Sequence, residues 1–207
     1  LVERFQNAGF EVYSYERETD TPISKICKVY INTDDRREFF EIKKLMKDQK
    51  ILYVLPLSCE MSVKSCFELE PHQVIGGTYL ASNLCYNKRS LDSWMKDYFP
   101  KFYPGYYEDS KGLDIIIKPK FGNGSKNLRF DSIEQHISPK EHQVIQRRIY
   151  GTEYSVDAYF DRSSNFIQAV PRTRDRVADG EVLDSTTCQN TTLISLTKDI
   201  GERLRLR

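Results

Sequence analysis

The sequence has no apolar run near the roughly 20 residues that a membrane-spanning helix needs, and its first residues are not a signal peptide. It also lacks any Cys-x-x-Cys. The five cysteines, Cys27, Cys59, Cys66, Cys85 and Cys188, are scattered and odd in number. That usage reads as free thiols in a reducing compartment and gives the expectation of a cytoplasmic protein, not a disulfide framework. Three histidines fall in no His-Glu-x-x-His or zinc-finger spacing, so no metal ligand is assigned. Charge of one sign is missing too: Lys+Arg of 31 against Asp+Glu of 30 leaves a net charge of +1. Nothing global favours nucleic acid or an anionic membrane as partner, and any anion site must be local.

What remains is an ordinary globular composition, 39% hydrophobic and 29% charged over 207 residues, long enough to bury a core. The first hundred residues alternate helical and extended patterns. Residues 1–9 read as the end of an amphipathic helix with a glycine cap, and 10–15 as a strand. Residues 36–50 place Phe39, Ile42, Leu45 and Met46 on one helical face. Ile51 to Pro56 suits a strand buried on both faces. Residues 58–69 look helical, 72–77 a short strand, and 87–97 helical again. From about residue 113 the pattern changes to short strands at 113–119, 143–150, 152–161 and 165–172. A short helix near 131–137 and a final one over 191–204 complete it. The expected fold is an α/β N-terminal subdomain with a small parallel sheet (1–100), a Pro/Gly/Tyr linker (101–112), and an α+β subdomain with an antiparallel sheet (113–207).

The chemistry concentrates after residue 113. Three isoleucines, Ile115 to Ile117, run into Lys118-Pro119, and then come Gly122-Asn123-Gly124-Ser125-Lys126. A lysine ending a buried strand keeps its stem packed while the ammonium emerges at a fixed point. Two glycines nearby let backbone N–H groups approach a phosphate. The spacing is neither a Walker A loop nor a dinucleotide fingerprint, because the G-x4-G-K-[ST] order and the third glycine are missing. Further on, Pro171-Arg172-Thr173-Arg174-Asp175-Arg176 is the densest positive cluster.

Taken in order, "IIIKPKFGNGSKNL", "VIQRRIYGTEYSVDAYFD" and "AVPRTRDRVADGEVLDSTT" resemble the ATP-grasp superfamily over about 80–190, in its carbamoyl-phosphate-synthase-like and carboxylate–amine ligase branch. The resemblance implies ATP held between two α+β layers and a carboxylate activated as an acyl phosphate, then attacked by an amine or ammonia. Carried over by position, Lys88 and Lys118 reach the phosphates. Gly122, Gly124, Ser125 and Lys126 form a lid over them. Gln146, Arg147, Arg148 and Ile149 form the strand whose backbone meets the adenine edge, and Glu153 takes the ribose hydroxyls. Arg172 and Arg174 would lie beside the transferred phosphate and the substrate carboxylate, a task that suits the bidentate guanidinium.

One position departs from the pattern. The family commonly has Gln-Glu where this chain has Gln146-Arg147, and an arginine has no acceptor for the adenine amino group. The resemblance further implies Mg²⁺, with its ligands expected beyond Arg207, in a chain that reads as truncated at both ends. A non-catalytic nucleotide-binding or regulatory module on the same fold is the alternative. A nucleic-acid or protein-interaction domain, suggested by the basic turn 172–176 and thirteen tyrosines, is opposed by the even charge.

Overall fold

The structure is a computed structural model that describes residues 1–16, 20–31, 38–57, 68–70, 72–103, 105, 114–122, 127–132, 140–178 and 181–207. The chain forms two compact units, Leu1–Leu52 and Tyr53–Arg207. Residues 104 and 106–112 of the expected linker, residue 113 of the expected first strand after it, and 58–67 of an expected helix lie outside the described residues.

In the first unit, helix α1 (Val2–Asn7) ends before Gly9, whose φ is +87°. Strands β1 (Tyr13–Glu16) and β2 (Lys28–Ile31) pair in parallel, Tyr13 opposite Lys28. Helix α2 (Glu38–Asp48) buries Ile42 and Met46, one turn apart on the face expected from their spacing.

The second unit opens differently from its sequence pattern. Ile51 to Pro56 contributes only an isolated parallel bridge, Val54 to Val74, and Leu52 and Leu57 are 71% and 75% exposed. An apolar run by itself does not create a pairing partner, and this one is not buried on both faces. Helix α3 (Tyr79–Tyr86) is capped by Thr78 Oγ1, which accepts from the Ala81 N–H at 3.3 Å. Helix α4 (Lys88–Tyr98) follows, with Asn87 Oδ1 accepting from the Arg89 and Ser90 N–H groups.

Three antiparallel strands make the central sheet in the order β4-β3-β5: β3 (Asp114–Pro119), β4 (Arg129–Ser132) and β5 (Gln143–Arg147). Asp131 and Ser132, expected to start a helix, pair instead with Ile115 and Asp114; the remainder of that expected helix, 133–137, lies outside the described residues. Pairing Ile117 with Ile145 puts Ile115, Ile117 and Ile145 together in a buried cluster on one face. Lys118, Val144 and Gln146 therefore lie on the other.

Strands β6 (Tyr154–Phe160) and β7 (Phe166–Thr173), over two of the expected runs, pair as an antiparallel hairpin. Asp161 Oδ1 closes its turn by accepting from the Ser163 and Asn165 N–H groups, both at 2.8 Å. A small pair, β8 (Arg176–Ala178) and β9 (Glu181–Asp184), comes next, and Thr187 bridges back to Arg172. Helix α5 (Thr191–Arg203), capped by Asn190, packs on the hairpin. Phe160 lies so close over Gly201 that a Cβ there would sit 1.9 Å from its ring. Only glycine allows this approach.

Candidate functional site

Helix α4 and the sheet meet at two points one helical turn apart. Lys88, the first residue of the helix, donates its ammonium to Gly122 O at 2.7 Å, and its backbone N–H bonds Lys120 O at 3.0 Å. Gly122 has φ +104°, a conformation in which a side chain would be strained, and open space where a Cβ would point. The rest of the expected lid, Gly124, Ser125 and Lys126, lies outside the described residues.

The second point is Asp92, which the sequence reading did not single out. Its carboxylate is buried, and both oxygens lie within hydrogen-bond reach of Gln146 Nε2, at 2.6 and 2.7 Å. Nothing in "KRSLDSWM" marks this acid, because a charged residue in an amphipathic helix ordinarily faces water. Gln146 is thus engaged through its side chain, whereas the resemblance pointed to its backbone.

Lys118 stands on the same sheet face as Gln146. Burial pushes the pKa of its ammonium below the ordinary 10.5, and the Asp92 and Glu153 carboxylates draw it part of the way back. Lys118 therefore feels acids from both α4 and the segment before β6.

Along β5 the Lys120 N–H bonds His142 O and the Arg148 N–H bonds Asp114 O, both at 2.8 Å. Antiparallel alternation then turns the peptide groups of Ile145 and Arg147 away from β3. The Arg147 N–H reaches Gly105 O at 3.5 Å. The side chains of Arg147 and Ile149 are exposed. The Arg148 guanidinium lies over the rings of Phe130 and Tyr150, 4.4 and 4.7 Å from their centroids, and the Tyr150 hydroxyl bonds Asp114.

The hairpin carries the remaining residues on one face. Alternation places Val156, Phe160, Ala169 and Pro171 on the side toward α5. Glu153, Ser155, Asp157, Arg172 and Arg174 lie on the opposite side. Arg174 Nε is 3.1 Å from Glu153 Oε1, and its Nη1 is 3.4 Å from Ser155 Oγ. Arg172 Nε donates to Asp157 Oδ2 at 2.6 Å, a bond that raises its already high pKa. The basic cluster is thus a ladder of acid–arginine pairs in which the acids are exposed and Arg172 and Arg174 are partly buried, 27% and 17% exposed, with Arg176 continuing it to Asp184 at 2.7 Å.

Lys88 with Gly122, Lys118 with Glu153, and Glu153 with Arg174 are brought into mutual contact or electrostatic reach. Arg148 is turned to its aromatic stack.

The sequence matches the family model of an ATP-grasp domain over residues 85–207. No curated protein matches it significantly. Several solved structures share its fold, among them these three. N5-carboxyaminoimidazole synthetase from Staphylococcus aureus, complexed with ADP, is 11% identical with a TM-score of 0.62, over 99% of this chain and 58% of its own. L-amino acid ligase from Bacillus licheniformis is 10% identical with a TM-score of 0.63, over 99% and 56%. D-alanine–D-alanine ligase from Bacillus anthracis is 11% identical with a TM-score of 0.51, over 93% and 76%. The chain spans a little over half the length of the first two.

Proposed function

This chain belongs to the ATP-grasp family, and from that premise we propose that it is the nucleotide-binding part of an ATP-dependent carboxylate–amine ligase. The observation that carries the reading is that, within one unit, Glu153 acts on Lys118 and pairs with Arg174, while Lys88 pins the end of β3 at Gly122. Lys88 and Lys118 neutralise the nucleotide's phosphates. A lysine at a helix start adds to the positive end of the helix dipole, an unhelpful choice for stability and a good one for binding an anion. Gly122, with Gly124, Ser125 and Lys126, covers those phosphates. The outward peptide group of Arg147 and the segment that follows it to Ile149 meet the adenine edge. Glu153 accepts from the ribose hydroxyls, as a carboxylate can from both at once.

Arg172 and Arg174 hold a small carboxylate substrate by paired N–H donors. A carboxylate oxygen attacks the γ-phosphorus, its bond to the β–γ bridging oxygen breaks, and ADP leaves an acyl phosphate. An amine or ammonia nitrogen then attacks the acyl carbon, losing a proton as inorganic phosphate departs. Fixed cations contribute by stabilising charge that develops on the phosphoryl oxygens. Among the described residues no three His, Cys, Asp or Glu side chains come together to hold a metal ion. The roles assigned above are those of the chain's own cations.

The test is an assay of the full-length protein for ADP release, with hydroxylamine present to intercept the acyl phosphate as a hydroxamate. Release that depends on a carboxylate, with hydroxamate formed, supports the ligase. ATP bound without turnover across carboxylate and amine panels contradicts it. That outcome would favour a non-catalytic nucleotide-binding module, which Arg147, lacking an acceptor at the expected adenine contact, specifically suggests.

A further inference from the structure

A buried acid in a helix needs both hydrogen bonds and a counter-charge. Asp92 is 6% exposed, and Gln146 Nε2 serves its oxygens. A neutral amide satisfies the lone pairs without cancelling the charge. Lys118 is a cation within the carboxylate's electrostatic reach, and of the acids acting on that lysine Asp92 exerts the largest attraction. The geometry is fixed from both sides. Residues i and i+4 of a helix share a face, so Lys88 and Asp92 point together, and the Lys88 contacts with Gly122 O and Lys120 O pin that face to the end of β3. On the sheet, the pairs Ile116–Gln146 and Lys118–Val144 set Gln146 diagonally beside Lys118 on one face.

We infer that Asp92 is a positioning residue: from α4 it holds the Gln146 amide on β5 and the Lys118 ammonium on β3, and so fixes Lys118 where the nucleotide phosphates are to sit. The inference rests on the nucleotide site proposed above and extends it to a residue that touches no nucleotide. Asp92 acts through Lys118. In the absence of nucleotide it keeps the lysine's charge compensated, and on binding the phosphates add to that compensation without a search among lysine rotamers. Replacing the acid by an apolar group would serve stability as well, since buried ion pairs seldom outperform good packing. Its use here is to set a charge in place.

The test is a double-mutant cycle read by calorimetric titration of the full-length protein with ATP, using wild type, Asp92→Asn, Lys118→Gln and the double variant. Asp92→Asn keeps the shape and an acceptor for Gln146 while removing the charge. It is expected to weaken ATP about tenfold, the scale of one lost hydrogen bond to a charged group. Once Lys118 is gone, the same substitution should cost little or nothing. Unchanged affinity in Asp92→Asn overturns the inference, and so does an equal loss in both backgrounds, which is what a purely structural role would give. If Asp92→Asn does not fold, Asp92→Ser, smaller and also uncharged, carries the same cycle. Failure of the wild type to bind ATP sinks the nucleotide site and this inference together; wild-type binding with additive losses sinks this inference alone.

Discussion

The two faces of the β6–β7 hairpin have opposite designs. One is closed by α5 and packed until Phe160 rests against the bare backbone of Gly201. The other carries Glu153, Ser155, Asp157, Arg172 and Arg174 as an open ladder of acids and arginines. The same backbone serves both, because alternation separates its side chains completely. The closed face holds the fold together, and the open one keeps guanidinium groups extended at set intervals. The acids are exposed while the guanidinium groups are partly buried. Their value lies in where they place charge.

The first way to sharpen that contrast is to remove a guanidinium from the open face. Arg174→Ala should lower turnover on the order of a hundredfold or more, the cost of losing a preorganised charge at the transition state, with a smaller loss in the urea midpoint because its side chain is 17% exposed. A large fall in stability with unchanged turnover would assign Arg174 to the fold. On the closed face the pattern should invert. Gly201→Ala forces a methyl group into the Phe160 ring and should cost about 1–3 kcal/mol, read as a lowered melting temperature, with ATP affinity of the folded fraction unchanged. A smaller effect is expected for Asp157→Asn, which removes the charge facing Arg172. Melting should barely move, and the KM for the carboxylate substrate should change more than kcat.

Lys118 gives the smallest and most specific effect. Burial lowers its pKa, so the ammonium costs the folded state. That cost is fully present below the lowered pKa and disappears as pH rises through it toward 10.5. Wild type should therefore gain stability relative to Lys118→Met as pH rises through that alkaline window, read in denaturation curves. A Lys118→Met protein markedly less stable than wild type at pH 7 would show that the attraction of Asp92 and Glu153 outweighs burial.

Much of the frame was legible in the sequence. Ile115 to Lys118 gave both a strand and its exit, the patterns over 87–97 and 191–204 marked helices, and the runs 152–161 and 165–172 marked two strands. These signals are local, set by alternation, capping and turn chemistry. What escaped depended on a distant partner. Asp92 looks solvated until Gln146, 54 residues away, is placed over it. Asp131 and Ser132 extend because β3 pairs with them. The run at Ile51 looked buried, and only Val54 found a partner. The arginines at 172–176 were visible as charge, but their pairing with Asp157, Glu153 and Asp184 needed the hairpin register.

The most direct measurement is calorimetric titration of the full-length protein with ATP and Mg²⁺, wild type beside Lys118→Ala. The account predicts saturable binding by wild type, largely lost in the variant, whose thermal unfolding remains cooperative. No binding by the folded wild type, or equal binding by both proteins, would contradict the claim that the end of β3 holds a nucleotide phosphate.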